Sequence, residues 1–257
     1  PVVGINMGQT AEELATRFDI DREAMDRYAL RSHRRLAQAM EEGIFEDEIV
    51  PLYDREGQVY TADDGVRPDT DMDQLGRLRP VFDRVGGRVT AGNSAQVSDG
   101  AAALLLASAE AVERFDLPVL GRIRDVQWAG LSPRYMGLGP VYAMAPLLQR
   151  HALSPDDIDN WEINEAFAAQ VLACLAAWTD PEFCHDELDS EPLPPIDEER
   201  LNIHGGGISL GHPVGASGAR ITLHCLNNLK RSGGRHGVAS LCIGGGQGGA
   251  LLLEAAP

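Results

Sequence analysis

Lysine is almost missing from this chain: Lys230 is the only one, so arginine carries nearly all of the positive charge. The overall balance is strongly acidic, with a formal net charge of −17 over 257 residues. A nucleic-acid-binding protein needs a basic face for the phosphate backbone, so this composition argues against a nucleic-acid partner. No stretch approaches the ~20 apolar residues of a membrane span. Cysteine is scarce: Cys174, Cys184, Cys225 and Cys242 are the only ones, and no two form a C-x-x-C pair. That weakens zinc and dithiol chemistry, and no metal site is expected. Four cysteines are also too few for a disulfide scaffold of this length, so a reducing, cytoplasmic setting is expected. The first residues, Pro1 to Gly4, lack a basic region followed by a long apolar run, and no signal peptide is expected. There is no initiator methionine, which suits a processed product or one piece of a longer protein.

What is present begins with helical patterns. Thr10 and Glu13 have capping-box spacing ahead of a short helix. Asp21 is placed to cap a longer helix over Arg22–Glu42, with Gly43 as its stop. Met25, Tyr28, Ala29, Leu36, Ala37 and Met40 fall on one face of it, as a packing stripe. Residues 44–80 are rich in Asp and Arg with glycine and proline punctuation, and read as irregular surface structure with a strand near Ile49–Leu52. Strands and helices then alternate. Strands are expected at Ala101–Ala107, Val119–Trp128, Ile158–Ile163, Gly237–Cys242 and Gly249–Glu254; helices are expected at Pro140–His151, Glu165–Ala177 and Ser217–Arg231. This alternation predicts a layered α/β fold. Asp180–Arg200, crowded with acidic residues and proline, reads as an exposed insertion.

Three stretches carry candidate chemistry. The first is His204–Arg220, dense in glycine and leading into a helix near Ser217. Glycines permit close backbone approach, and the helix start offers N–H groups for an anion. No Gly-Lys-Ser/Thr follows, so a P-loop is excluded. His212 is held inside the turn by Pro213, a setting that favours catalysis over plain structure. In the second stretch, Cys242 leaves a strand directly into Gly244–Gly246. Its flanking residues look too small to pack it in, and backbone N–H groups in such a turn can form an oxyanion hole. In the third, Asn164 heads Asn164–Ala168 at a strand-to-helix junction, where it can cap the helix or hold a water or an oxyanion.

In this order the three stretches resemble the thiolase family, whose members carry N-E-A-F-A, then G-G-x-x-x-G-H-P-x-G-x-S-G, then C-x-G-G-G. They stand here as Asn164–Ala168, Gly206–Gly218 and Cys242–Gly246. Upstream, Met7–Glu12, Phe45–Pro51, Leu78–Phe82, Thr90–Asn93 and Asp99–Ala102 follow in family order, so the likeness spans almost the whole chain.

The resemblance implies a thiolase-like layered α/β/α core half at about 89–257, preceded by the remainder of a helical loop domain at about 1–88. It also implies acyl transfer between coenzyme A thioesters, with acyl-CoA and coenzyme A as partners and no added cofactor. By resemblance His212 activates a nucleophilic cysteine, and Cys242 moves the α-carbon proton. Asn164 with His212 stabilises the enolate, and Gly244 offers a backbone donor. The family's pantetheine-contacting serine is replaced here by Ala95, with Ser94 beside it; Met136 and Phe167 match acyl-pocket positions. The nucleophile is expected outside this chain, on an amino-terminal half supplied in cis or as a separate chain. Cys174, Cys184 and Cys225 have unsuitable neighbourhoods for that role. A homodimer or homotetramer is implied. Two other readings stand beside this one: a ketoacyl synthase-type condensing enzyme, which the C-x-G-G-G motif disfavours, and a non-catalytic CoA-binding or assembly module.

Overall fold

The computed structural model describes residues 3–256; Pro1, Val2 and Pro257 lie outside the described residues, and so does the reading of the first two. Helix α1 (Met7–Arg17) starts one turn earlier than Thr10 suggests. Asn6 and Gln9 form the capping box, with mutual backbone–side-chain bonds of 3.0 and 2.9 Å. The same spacing rule is met twice in a row, and the earlier cap wins because Met7 and Gly8 can join the helix. Thr10 is then an interior residue whose hydroxyl donates to the Met7 carbonyl at 2.6 Å. Helix α2 (Arg22–Glu41) follows its expectation: Asp21 caps it, accepting from the Ala24 N–H at 2.7 Å, and Met25, Tyr28, Ala29 and Leu36 are buried. Beyond it, β1 (Leu52–Tyr53) and β2 (Val59–Tyr60) form an exposed antiparallel hairpin, slightly past the expected strand. Helix α3 (Met72–Gly76) and helix α4 (Ala109–Phe115) are short.

The remaining elements are β3 (Gly121–Gly130), α5 (Gly139–Arg150), β4 (Asn160–Ile163), α6 (Ala168–Thr179), α7 (Pro181–Leu188), α8 (Gly207–Leu210), α9 (Ser217–Ser232), β5 (His236–Ile243) and β6 (Gln247–Ala255). Four strands form one sheet in the order β3-β6-β5-β4. The pair β4–β5 is parallel and the other pairs are antiparallel. Strand periodicity explains the layering, since successive side chains face opposite sides. Val238 and Leu252 join the core that contains α5 and α6, while their neighbours Ala239 and Leu253 join the core of Ile221, Cys225 and Leu229 on α9. The sheet is thus covered on both faces, an α/β/α arrangement. Among the described residues no helix is long and apolar enough to cross a membrane.

Two further expectations fail. Ala101–Ala107 pairs with no strand among the described residues; it is exposed, with Leu105 at 86% and Leu106 at 72%. Helix α4 after it buries no residue. An apolar run becomes a strand only where a sheet offers it hydrogen bonds and cover, and the β3-β6-β5-β4 sheet does neither here. Asp180–Arg200 is likewise not a plain exposed insertion. Pro181–Leu188 is helical, and Phe183, Cys184 and Ile196 are buried. Sparse apolar residues are enough to dock an acidic segment when they share one face. Trp178 anchors the return: its indole N–H donates to the Pro194 carbonyl at 2.8 Å, and its ring meets Trp161 edge-on at 5.9 Å. Trp178→Ala is expected to cost about 3–5 kcal/mol, read as a lower urea midpoint; an unchanged midpoint would show that this anchor is dispensable.

Candidate active site

The parallel pair β4–β5 positions the candidate residues. Ile163 faces Ser240, and the Asn164 N–H donates to the Ser240 carbonyl at 2.9 Å. Asn164 therefore leaves β4 at the same end of the sheet at which β5 carries Cys242 and gives way to Gly244. Ligands in α/β proteins commonly gather at such carboxyl ends. The chain then brings His212 to Asn164 through the glycine turn. Gly211 has φ of +103°, and a Cβ there would lie 2.1 Å from the Ser98 hydroxyl oxygen, so this turn suits glycine alone. The His212 N–H donates to the Gln96 carbonyl at 3.3 Å. The Gln96 side chain donates to the Gly65 carbonyl at 2.7 Å and to the Ile208 and Ser209 carbonyls, both at 3.3 Å.

The His212 ring is half-buried between two partners. Its Nδ1 lies 2.6 Å from the Ser217 hydroxyl oxygen, and its Nε2 lies 3.3 Å from the Asn164 amide nitrogen. The Ser217 hydroxyl donates to the Pro213 carbonyl at 3.1 Å. Its oxygen is then free to accept from Nδ1–H. With the Asn164 amide nitrogen facing the ring, that tautomer leaves the Nε2 lone pair as the basic site. Burial pushes the imidazole below the ordinary histidine value, and the Arg220 guanidinium lowers it further. A ring that stays neutral near pH 7 is suited to accept a proton.

Cys242 departs from expectation. The small residues after it do not leave it open: it is buried, at 7% exposure, within β5 opposite Gly248. Burial raises its thiol to about 12, so it carries its proton at neutral pH. A protonated thiol is a proton donor first. Gly244 is exposed in the turn that follows, where Gly245 and Gly246 take φ of +92° and +88°.

The other candidates fall on the flanks. Ser94 is buried, and its hydroxyl donates to the Thr90 carbonyl at 2.6 Å. Ser94 makes an antiparallel bridge to Phe167, and the Ala95 N–H donates to the Ala166 carbonyl at 2.9 Å. The 94–95 segment is thus sewn to the Asn164–Ala168 motif. Met136 is buried in the short 3-10 turn Pro133–Leu138, at 6% exposure. The neighbouring Gly137 carbonyl accepts from the Cys174 thiol at 3.2 Å. Burial drives the Cys174 thiol far above its ordinary value, and Cys242 nearby adds to this. Cys225 is driven up in the same way, by burial and then by Glu162. Cys184 is raised by burial as well. No thiol with a raised value makes a ready nucleophile.

Local pattern marks no role for Gln96, Ser217 or Arg220, although the last two lie within the glycine-dense stretch His204–Arg220. Only the folded contacts set them near His212. Among the described residues, no group of His, Cys, Asp and Glu side chains is arranged to hold a metal ion.

The family model described as the thiolase carboxyl-terminal domain matches residues 117–255, and that of the thiolase amino-terminal domain matches residues 2–110. A 3-ketoacyl-CoA thiolase of Marinobacter nauticus is 44% identical over 96% of this chain and 61% of its own length. The human peroxisomal 3-ketoacyl-CoA thiolase is also 44% identical, over 97% of this chain and 57% of its own. The solved human mitochondrial 3-ketoacyl-CoA thiolase superposes with a TM-score of 0.88 at 41% identity, covering 100% of this chain and 61% of that one. The chain therefore spans roughly three-fifths of the length of these relatives. Its motifs, its sheet and its matches over both family models agree, and the chain belongs to the thiolase family.

Proposed function

We propose that this chain supplies the acid/base and oxyanion side of an acyl-transfer site that cleaves or forms the carbon–carbon bond of a 3-ketoacyl-CoA. The observation that carries the reading is the gathering of His212, Asn164 and Cys242 at the carboxyl ends of β4 and β5. In this reading His212 Nε2 takes the proton of a cysteine nucleophile, because the thiolate and not the thiol attacks a thioester. Attack releases coenzyme A from the donor thioester, or the acetyl-CoA enolate in the cleavage direction. Cys242 then moves the proton at the α-carbon: as the thiol it donates to the enolate in cleavage, and as the thiolate it accepts in condensation. Asn164 and His212 face the enolate oxygen, and Gly244 faces the acyl-enzyme carbonyl. Acyl-CoA and coenzyme A are the substrates; a related human mitochondrial structure is described as a complex with CoA. Ala95 and Ser94 border the pantetheine arm, and Met136 and Phe167 the acyl group. A homodimeric or homotetrameric assembly and a cytoplasmic setting belong to the same proposal.

The nucleophile is placed on an amino-terminal half outside these residues. Two observations support that part. Cys174, Cys184 and Cys225 are buried with raised thiols. Ala101–Ala107 and α4 stand exposed, an apolar run and a short helix with no cover among the described residues. The test combines this chain with a thiolase amino-terminal half, in cis or as a second chain, and measures thiolysis of acetoacetyl-CoA. Activity only in the combination is expected, together with slower amide exchange across residues 101–107. If the combination forms and neither change appears, the enzyme reading fails and a non-catalytic module takes its place.

A further inference from the structure

Glu165 follows Asn164 in the sequence, yet the roles proposed above give it nothing to do. It is 1% exposed. No lysine or arginine among the described residues forms an ion pair with it. Four donors surround its carboxylate instead. One oxygen accepts from the Tyr28 hydroxyl at 3.0 Å and from the Asn202 amide at 3.2 Å. The other accepts from the Ser32 hydroxyl at 2.6 Å and from the Ile208 backbone N–H at 3.3 Å. These donors occupy the lone-pair directions that two carboxylate oxygens offer.

The donors come from three separate parts of the chain. Tyr28 and Ser32 lie on α2, Asn202 on the strand-like stretch beside β4, and Ile208 in the turn that delivers His212. The turn is pressed onto Glu165. A Cβ at Gly206 would lie 2.6 Å from the Glu165 carboxyl carbon, and one at Gly207 would lie 2.7 Å from its carbonyl oxygen. Asn202 in turn clamps β4, accepting from the Ile163 N–H at 2.9 Å and donating to the Ile163 carbonyl at 2.8 Å. Ser32 and Ser209 share a further bond of 2.8 Å. A carboxylate whose neighbours on both sides of the site are also its hydrogen-bond donors holds those neighbours in one register.

We infer that Glu165 is a positioning residue: it locks the 205–211 turn, and so the approach of His212 to Asn164, onto helix α2. The inference rests on the proposed roles of His212 and Asn164. It gives α2, which touches no reacting group, a part in setting the geometry.

Glu165→Gln keeps the shape but replaces one acceptor oxygen with an NH2 group. Either the Asn202 amide or the Ile208 N–H must then face another donor. Tyr28→Phe removes a single donor from the α2 side and stands in if the first variant does not fold. Both are made in the complete enzyme, with the amino-terminal half present. Amide exchange in the 205–211 turn is expected to rise at least tenfold in Glu165→Gln and less in Tyr28→Phe, while β5 and β6 keep their protection. Turnover is expected to fall at least tenfold with KM for the acyl-CoA within about twofold. Exchange that is unchanged in the turn, or raised equally everywhere, overturns the inference. If the unsubstituted enzyme has no thiolase activity, the functional reading falls, and the exchange arm still decides whether Glu165 holds the turn.

Discussion

His212→Ala lowers thiolysis in the complete enzyme by about 10³-fold, the scale of losing a general base that also activates a nucleophile. The expectation follows from the Nδ1–H tautomer of His212. Ser217 accepts from Nδ1 and leaves Nε2 as the basic nitrogen beside Asn164. Removing the ring removes both the proton acceptor and one contact to the developing oxyanion. The pH dependence has a definite sign. Burial, and then Arg220, hold the imidazole below its ordinary value of 6.5, so the base stays competent into mildly acidic solution. The acid limb of kcat/KM therefore lies below pH 6.5. Arg220→Gln removes the second cause and moves that limb upward. The pH–rate profile of the wild-type and Arg220→Gln enzymes measures both statements. An acid limb above the ordinary histidine value, or a His212→Ala enzyme of near-normal rate, contradicts the assigned role.

Cys242→Ser is the second large effect, a loss of about 10²- to 10⁴-fold in condensation with acylation largely retained. The thiol is held near 12 by burial, so it is protonated at rest and within reach of service as an acid. A serine hydroxyl in the same strand position is a far weaker acid and, once deprotonated, a costlier buried anion. The two half-reactions separate under this change. Acyl-enzyme formation, followed by intact mass on the amino-terminal half, continues. Formation of the enolate by proton transfer from the α-carbon stalls. A serine variant that condenses at full speed removes Cys242 from the mechanism. A variant that also fails to acylate makes Cys242 a packing residue of β5.

The sequence reading and the folded chain agree best where local rules act. Asp21 caps α2 as expected, and β3, α5, α9 and the β5–β6 pair form within a residue or two of their predicted spans. Apolar periodicity and caps are properties of neighbouring residues, so they can be read without the fold. One disagreement is itself local and the others are tertiary. Thr10 has cap spacing, yet Asn6 takes the cap because the helix can extend backward. Asp180–Arg200 looks like exposed loop by charge, yet Phe183, Cys184 and Ile196 dock it. Ala101–Ala107 has the composition of a strand and finds no sheet to join.

The site divides in the same way. The linear motifs by themselves named His212, Cys242 and Asn164 as candidates and assigned the chain's family resemblance. Glycine-dense turns and a strand-end cysteine are unusual enough to stand out in one dimension. Only the tertiary structure decided that Asn164 touches the His212 ring, that Ser217 orients it, that Cys242 is buried and protonated, and that Glu165 ties the turn to α2. The physical reason is that tautomer, burial and carboxylate satisfaction depend on groups brought together from distant parts of the chain. Ser32 and Glu165, 133 positions apart, share a 2.6 Å hydrogen bond that no local pattern announces.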